Sequence, residues 1–281
     1  MMVSQGVSVR RACWIMGVST AQPYRKPAPD RDAALRAELR RIWRPNRGYR
    51  TAHMLLKPKF GKLNAKRVYR VWKEEKLTCV KRIRKRRTGS GVPERATRPN
   101  AVWSVDFVHD ACANGTKVKI LTVLDEFTRE CLALEVGTSM RSVQVRRVLG
   151  SLFKERGAPQ VLRSDNGSEF TSKVLRDFLA ESGTSGKLIR PGSPWQNGYV
   201  ESFHATLRRD FLDVEVLFNL VDAQVRIEEY RRWYNEERPH SSTGYLPPAV
   251  AARRTIAPGG APSRKPPIQK EKAKAASTPE D

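Results

Sequence analysis

The period of the apolar positions changes near residue 100. Before it, hydrophobic residues recur at helical spacing. Leu35, Leu39, Ile42 and Trp43 mark a helix over 33–43. A second helix is expected over 49–56, stopped by Pro58. A third is expected over 65–77, with Asn64 as its cap and Val68, Val71 and Trp72 on one face. Further upstream, 7–16 reads as a short helix closed by Gly17. Ser19 and Gln22 then offer a capping box for a second helix that Pro23 would cut short. Helix-turn-helix and plain helical hairpin both fit that opening stretch.

After residue 100 the pattern turns β-branched. Residues 101–109, 118–124 and 131–136 read as three strands, with Asn114-Gly115 as the turn between the first two, which makes an antiparallel meander. An amphipathic helix over 139–156 ends at Gly157. A short strand over 160–163, a helix over 171–182 and a last short strand over 187–190 follow. A Pro/Gly-rich loop, 190–194, leads to a helix that begins at Asn197, and a long helix is expected over 219–235. Three antiparallel strands, a helix and then alternating strands and helices is the element order of a ribonuclease-H-like α/β fold. Residues 256–281 are rich in Pro, Ala and Lys without an apolar period and are expected to be disordered. The layout is therefore a helical region over 1–80, a linker over 81–99, an α/β core over 100–252 and a tail over 253–281.

Charge sharpens this division. The chain has 281 residues and a net charge of +24. Residues 1–100 hold 27 Lys/Arg against 6 Asp/Glu, whereas residues 101–254 hold 21 against 20. A basic module beside a near-neutral body is the footprint of a phosphate-binding protein, with a ribosomal-type basic arm or a membrane-surface protein as the alternatives. In the expected third helix Lys66, Arg67, Arg70 and Lys73 surround the apolar face. The helix can enter a DNA major groove, or it can be the solvated face of a three-helix bundle. Lys81, Arg82, Arg84, Lys85, Arg86 and Arg87 follow within seven residues, a run that self-repulsion keeps extended until phosphates neutralise it. No stretch is apolar enough to span a membrane, and no signal-peptide core is present. The four cysteines are scattered without Cys-x-x-Cys spacing, which argues against zinc and for a reducing compartment. The expected location is the cytoplasm.

Three carboxylates stand out in the α/β region. Asp106 lies inside a strand between apolar Val105 and Phe107, where a carboxylate is costly without compensation. Asp165 ends a strand, at the carboxyl edge where open α/β sheets place ligands. Glu201 opens a helix whose apolar face is Val200, Phe203, Leu207 and Phe211. Two aspartates and a glutamate from separate elements suit two divalent ions, which stabilise both the entering and the leaving oxygen in phosphoryl transfer. Asp125, Glu126 and Glu169 compete for the same roles. Asp125 reads as a turn residue, and Glu169 as a helix-start residue or a support for the site.

The spacing and the surrounding words resemble a known family. Between Asp106 and Asp165 lie 58 residues, and between Asp165 and Glu201 lie 35. The segments Trp103-Ser104-Val105-Asp106-Phe107, Ser164-Asp165-Asn166-Gly167-Ser168-Glu169-Phe170, Pro194-Trp195-Gln196-Asn197-Gly198-Tyr199-Val200-Glu201 and Tyr234-Asn235-Glu236-Glu237-Arg238-Pro239-His240 are similar to those of DDE-type insertion-sequence transposases. The likeness is to the second-frame protein, with a retroviral-integrase-like core, and covers about residues 5–250. It implies Asp106, Asp165 and Glu201 as catalytic ligands of Mg²⁺, with Mn²⁺ as a substitute and two ions expected. It also implies DNA partners (element ends and target), a homo-oligomer on DNA, a first-frame protein as fusion or partner, and a bacterial cytoplasm in association with the nucleoid. With its own Met1, the chain is expected to be the free second-frame protein or a fragment of the fusion. In related integrases a basic residue two turns after the Glu meets terminal DNA. Arg208 stands there, while Ala205 replaces the Lys that retroviral relatives carry one turn earlier. His204 shares the face of Glu201 and Arg208 and is either a further DNA-contact residue or a surface histidine. Residues 191–197 are expected to form a mobile flap, and the Arg238-Pro239-His240 turn to be structural. The rival readings are a DNA-binding regulator without strand transfer and a plain nuclease that never joins ends.

Overall fold

The computed structural model describes residues 7–21, 24, 30–44, 47–77, 95–190 and 194–256. The basic run at 81–87 and the tail beyond 256 lie outside these residues, as does Cys79.

The helical region contains α1 (Val9–Ile15), α2 (Ala33–Ile42), α3 (Tyr49–Phe60) and α4 (Ala65–Glu74). Ser8 caps α1 by accepting from the Arg11 N–H at 3.4 Å. No helix starts at Ser19, whose hydroxyl accepts from the Ala21 N–H in a turn. Asn64 caps α4 as expected, accepting from the Lys66 N–H at 2.8 Å. Pro58 does not stop α3. It sits inside the last turn, where its missing donor removes a single ladder bond, and Gly61 ends the helix at φ +60°. Leu35, Leu39, Ala52, Leu56, Val68, Val71 and Trp72 close a core among α2, α3 and α4. Arg36 fastens α2 to the end of α4 through Glu74 and Glu75.

The α/β region builds β1 (Val102–Ala111), β2 (Lys117–Asp125), β3 (Cys131–Gly137), α5 (Ser142–Arg156), β4 (Val161–Ser164), α6 (Ser168–Thr171), α7 (Lys173–Glu181), β5 (Ser185–Leu188), α8 (Gly198–Leu207), α9 (Leu220–Glu236) and α10 (Pro248–Ile256). The sheet order is β3-β2-β1-β4-β5, antiparallel across the first three strands and parallel across β1, β4 and β5. The ribonuclease-H-like arrangement read from the sequence is the one adopted. The expected helix over 171–182 is broken at Ser172, which instead caps α7 through the Leu175 N–H. The last strand lies two residues earlier than expected, and α10 had no counterpart in the sequence reading.

Alternation along β1 divides the core in two. Trp103 and Val105 face α5 and α7, together with Leu121, Leu149, Leu162 and Leu175. Val108 faces α8 and α9, where Ile120, Leu134, Phe203, Leu207, Phe211 and Ile227 gather. The apolar stripe of α8 is thus fully buried, and its orientation on the sheet is fixed. β3 is one edge of the sheet. There buried Asn235 of α9 mimics a strand partner, accepting from the Cys131 N–H and donating to the Cys131 carbonyl at 2.9 and 2.8 Å. Leu207 is wholly buried on the sheet. Leu207→Ala is expected to lower the unfolding free energy by about 2–5 kcal/mol in urea titration. A loss below about 1 kcal/mol would show that α8 is not anchored by this stripe.

Candidate active site

Asp106 lies on the α8 face of β1, two residues from Ser104 and opposite Thr122 of β2. Its Oδ1 accepts from the Phe107 N–H at 2.8 Å. Burial raises its pKa to about 6, and the negative charges of Asp165 and Glu201 push in the same direction. That electrostatic coupling places the three carboxylates in one neighbourhood although they come from β1, the end of β4 and the first turn of α8. Asp165 is half-buried, and its Oδ1 accepts from the Gly167 N–H at 3.0 Å. A Cβ at Gly167 would come within 3.1 Å of Asp165 Oδ1 and 3.3 Å of Glu169 Oε2, so glycine lets the turn wrap the carboxylate. Asn166 donates to the Ile189 carbonyl at 2.9 Å and ties this turn to the segment after β5. Glu201 is exposed. Among the described residues no three His, Cys, Asp or Glu side chains stand close enough to enclose an ion unaided.

The competing carboxylates are otherwise engaged. Asp125 is buried and accepts from the backbone N–H groups of Asn100, Phe127 and Thr128. Glu169 pairs with Lys119, whose ammonium also lies 4.0 Å from the centre of the Phe107 ring. Glu126 is completely buried and pairs with buried Arg163 at 2.7 Å, and it accepts the Ser104 hydroxyl. Arg163 also donates to the Gln196 carbonyl at 3.3 Å, just before α8. A second bond, from the Arg190 N–H to Gln196 Oε1 at 2.9 Å, holds the same turn (Pro194–Asn197). Residues 191–193 lie outside the described residues, but the end of the expected flap is tethered. The sequence reading missed Arg163. Its signal was an arginine inside a buried strand, which requires a buried anion.

The expected DNA-contact residues separate into groups. His204 does not face outward. Its Nε2 lies 3.1 Å from Thr122 Oγ1 and its Nδ1 3.7 Å from Asp106 Oδ2. Burial, and then Arg208, lowers its pKa to about 4, so it is neutral near pH 7 and offers phosphate no charge. Arg208 is half-buried at the end of α8, donating to the His109 carbonyl of β1 at 2.8 Å. Lys66, Arg67, Arg70 and Lys73 are all exposed on α4. Two of them already serve the fold, since Arg67 and Arg70 grip buried Asp32 at 2.6 and 2.5 Å. Lys81, Arg82, Arg84, Lys85, Arg86 and Arg87 lie outside the described residues. The Arg238-Pro239-His240 turn is structural in one plain sense: buried Arg238 bonds Asp210 at 2.7 Å.

A mixed five-stranded sheet with one carboxylate inside its central strand, one just after the neighbouring parallel strand and one on the helix packed against it defines a ribonuclease-H-like nucleic-acid enzyme core. The fold is shared with a chain of the simian T-cell lymphotropic virus intasome, at a TM-score of 0.52 and 16% identity over 78% of this chain and 75% of that one. Sequence profiles of the integrase core domain family match residues 96–194 and 182–248. The insertion element IS407 31.7 kDa protein of Burkholderia multivorans is 37% identical over 92% of this chain and 95% of its own length. The insertion element IS476 39.2 kDa protein of Xanthomonas euvesicatoria is 39% identical over 88% and 72%. The putative transposase InsK for IS150 of Escherichia coli is 26% identical over 82% and 87%. The chain belongs to the insertion-sequence transposases with an integrase core domain, and it is a polynucleotidyl transferase of that class. No helix among the described residues is long and apolar enough to cross a membrane.

The raised pKa of Asp106 gives a signed pH dependence. Without metal, the folded state holds this proton up to about pH 6, whereas the unfolded carboxyl releases it near 3.8. Between those values the folded state binds more protons, so stability falls as pH rises and the full penalty remains above pH 6. In chelator, Asp106→Asn is expected to raise stability at pH 7.5 by about 1–3 kcal/mol and to gain little at pH 4. Urea unfolding of both proteins at the two pH values checks this. An equal difference at both would contradict it.

Proposed function

We propose that Asp106, Asp165 and Glu201 are the catalytic carboxylates of DNA cleavage and strand transfer in this transposase. The observation that carries this reading is the mutual electrostatic pressure at Asp106, where burial and two neighbouring carboxylates oppose ionisation. A cation relieves that pressure. The donor set is all oxygen, without a cysteine or histidine cluster. This suits hard divalent ions such as Mg²⁺ or Mn²⁺, which take few carboxylates and complete their shell with water and phosphate oxygens. When bound, a pair of such ions supplies charge stabilisation for the entering and leaving oxygens.

The chain's own residues set the geometry. β1 holds Asp106 rigidly, the Gly167 turn aims Asp165, and the Arg163 tether fixes the start of the helix that carries Glu201. In the first step water attacks the phosphodiester at the element end and leaves a 3′-hydroxyl. In the second, that hydroxyl attacks a target phosphodiester and expels another 3′-oxygen. Neither step needs a covalent protein–DNA link. Two ends must be held together, so the working form is an oligomer on DNA. A first-frame protein, as fusion or partner, supplies recognition of the ends. Neutral His204 buttresses Asp106, while Arg208, at the end of the same helix, is the cation placed for the terminal DNA strand. Nothing favours the regulator reading.

Asp106→Asn, Asp165→Asn and Glu201→Gln are each expected to abolish joining of a labelled element end in Mg²⁺ or Mn²⁺, by about a thousandfold or more. DNA binding in chelator is expected to persist in all three. A Glu201→Gln protein that still joins strands would remove Glu201 from the site. Cleavage without joined products in the unaltered protein would favour a nuclease.

A further inference from the structure

Helix α8 has three sides. Val200, Phe203 and Leu207 bury one in the core. Glu201, His204 and Arg208 form the second, toward β1 and β2. Ser202 and Thr206 lie on the third, with Arg209 in the π-helical turn (Arg208–Leu212) that follows. The third side is partly exposed. It walls a cleft of about 420 Å³ whose opposite wall is the start of α3. The cleft gathers four arginines, Arg47, Arg50, Arg209 and Arg238, around a single carboxylate, Asp210. Asp210 is taken up by Arg209 and Arg238, at 3.1 and 2.7 Å. Exposed Arg50 stands in the first turn of α3, which has no acidic residue and no side-chain cap. Thr51, Ser202, Thr206 and Ser241 add hydroxyls to the same walls.

Arginines in excess over carboxylate, several hydroxyls and an uncapped helix N-terminus in one concavity form a chemical set that recognises phosphate. We propose that this cleft binds a phosphodiester of the DNA backbone, at a point separate from the carboxylate triad and shared between the helical region and the core. The inference rests on the chain's being a DNA strand transferase. Ser202 directly follows Glu201, so a DNA strand crossing the ridge of α8 at Ala205 reaches the triad on one flank and the cleft on the other. The contact is to backbone and carries no sequence preference. It fixes where the duplex lies relative to the scissile bond and couples the helical region to that placement.

The test uses the full chain and a fluorescein-labelled duplex of arbitrary sequence, in chelator, with anisotropy followed across KCl concentrations. Arg50→Ala is expected to weaken binding several-fold. It should also lower the slope of log affinity against log salt by about 0.9, the loss of one phosphate contact. Arg50→Lys should restore most of the slope. Arg209→Ala should act in the same direction, with thermal unfolding monitored because Arg209 also pairs with Asp210. An Arg50→Ala protein with unchanged slope and unchanged thermal midpoint would overturn the proposal. Glu201→Gln, measured in parallel, should keep the full slope while losing strand joining. Failure of the cleft is therefore read from salt dependence, and failure of the triad from joined products.

Discussion

A carboxylate in the middle of a central strand is the constraint on which the site's construction depends. Asp106 lies between Val105 and Phe107 in β1, and burial first, then the charges of Asp165 and Glu201, move its pKa to about 6. A fold optimised only for stability would place an apolar residue there. The protein instead gathers Asp165 and Glu201 nearby, which raises the electrostatic cost further. It also turns a neutral imidazole, His204, toward the same carboxylate rather than a lysine or arginine. A permanent cation would neutralise Asp106 and close the position to anything else. A neutral neighbour leaves the negative potential available to a diffusible cation. The same choice explains why His204 reads as a surface residue on a helical wheel but is held between β1 and β2.

The positive charge that this region does require is kept one layer away. Arg163 lies inside the core and is paired with Glu126, which the Ser104 hydroxyl also satisfies. A buried ion pair of this kind adds little net stability compared with an apolar pair, but breaking one partner is costly. Its product is geometry, because the same guanidinium reaches the Gln196 carbonyl and so determines where α8 begins. Glu201 sits in the first turn of that helix. The pair thus links a buried arginine in β4 to an exposed carboxylate in α8.

Much of this was legible in the sequence, for identifiable reasons. The apolar stripe of α8, the meander and the strand-end position of Asp165 follow from period and composition, and those signals survive folding because burial enforces them. Where burial does not act, the sequence misleads. β5 was expected over its apolar residues, yet the strand uses Ser185–Leu188, all exposed, because backbone pairing to β4 sets its register. Pro58 reads as a helix stop, but in the last turn of α3 its cost is a single hydrogen bond. Arg67 and Arg70 read as free cations, and only the tertiary structure brings Asp32 against them. α10 packs on α9 through small residues, Ala249 and Ala252, that carry no periodic signal.

The helical region and the core meet through charge more than through apolar packing. Arg44 approaches Glu215 at 3.8 Å, and Arg47 lies 5.5 Å from the centre of the Trp233 ring. Contacts of this type are individually weak and partly screened by salt. A boundary built from them can shift at modest cost, and a polyanion laid across it would engage arginines from both sides at once. Binding energy from the DNA would then set the relation between the two bodies.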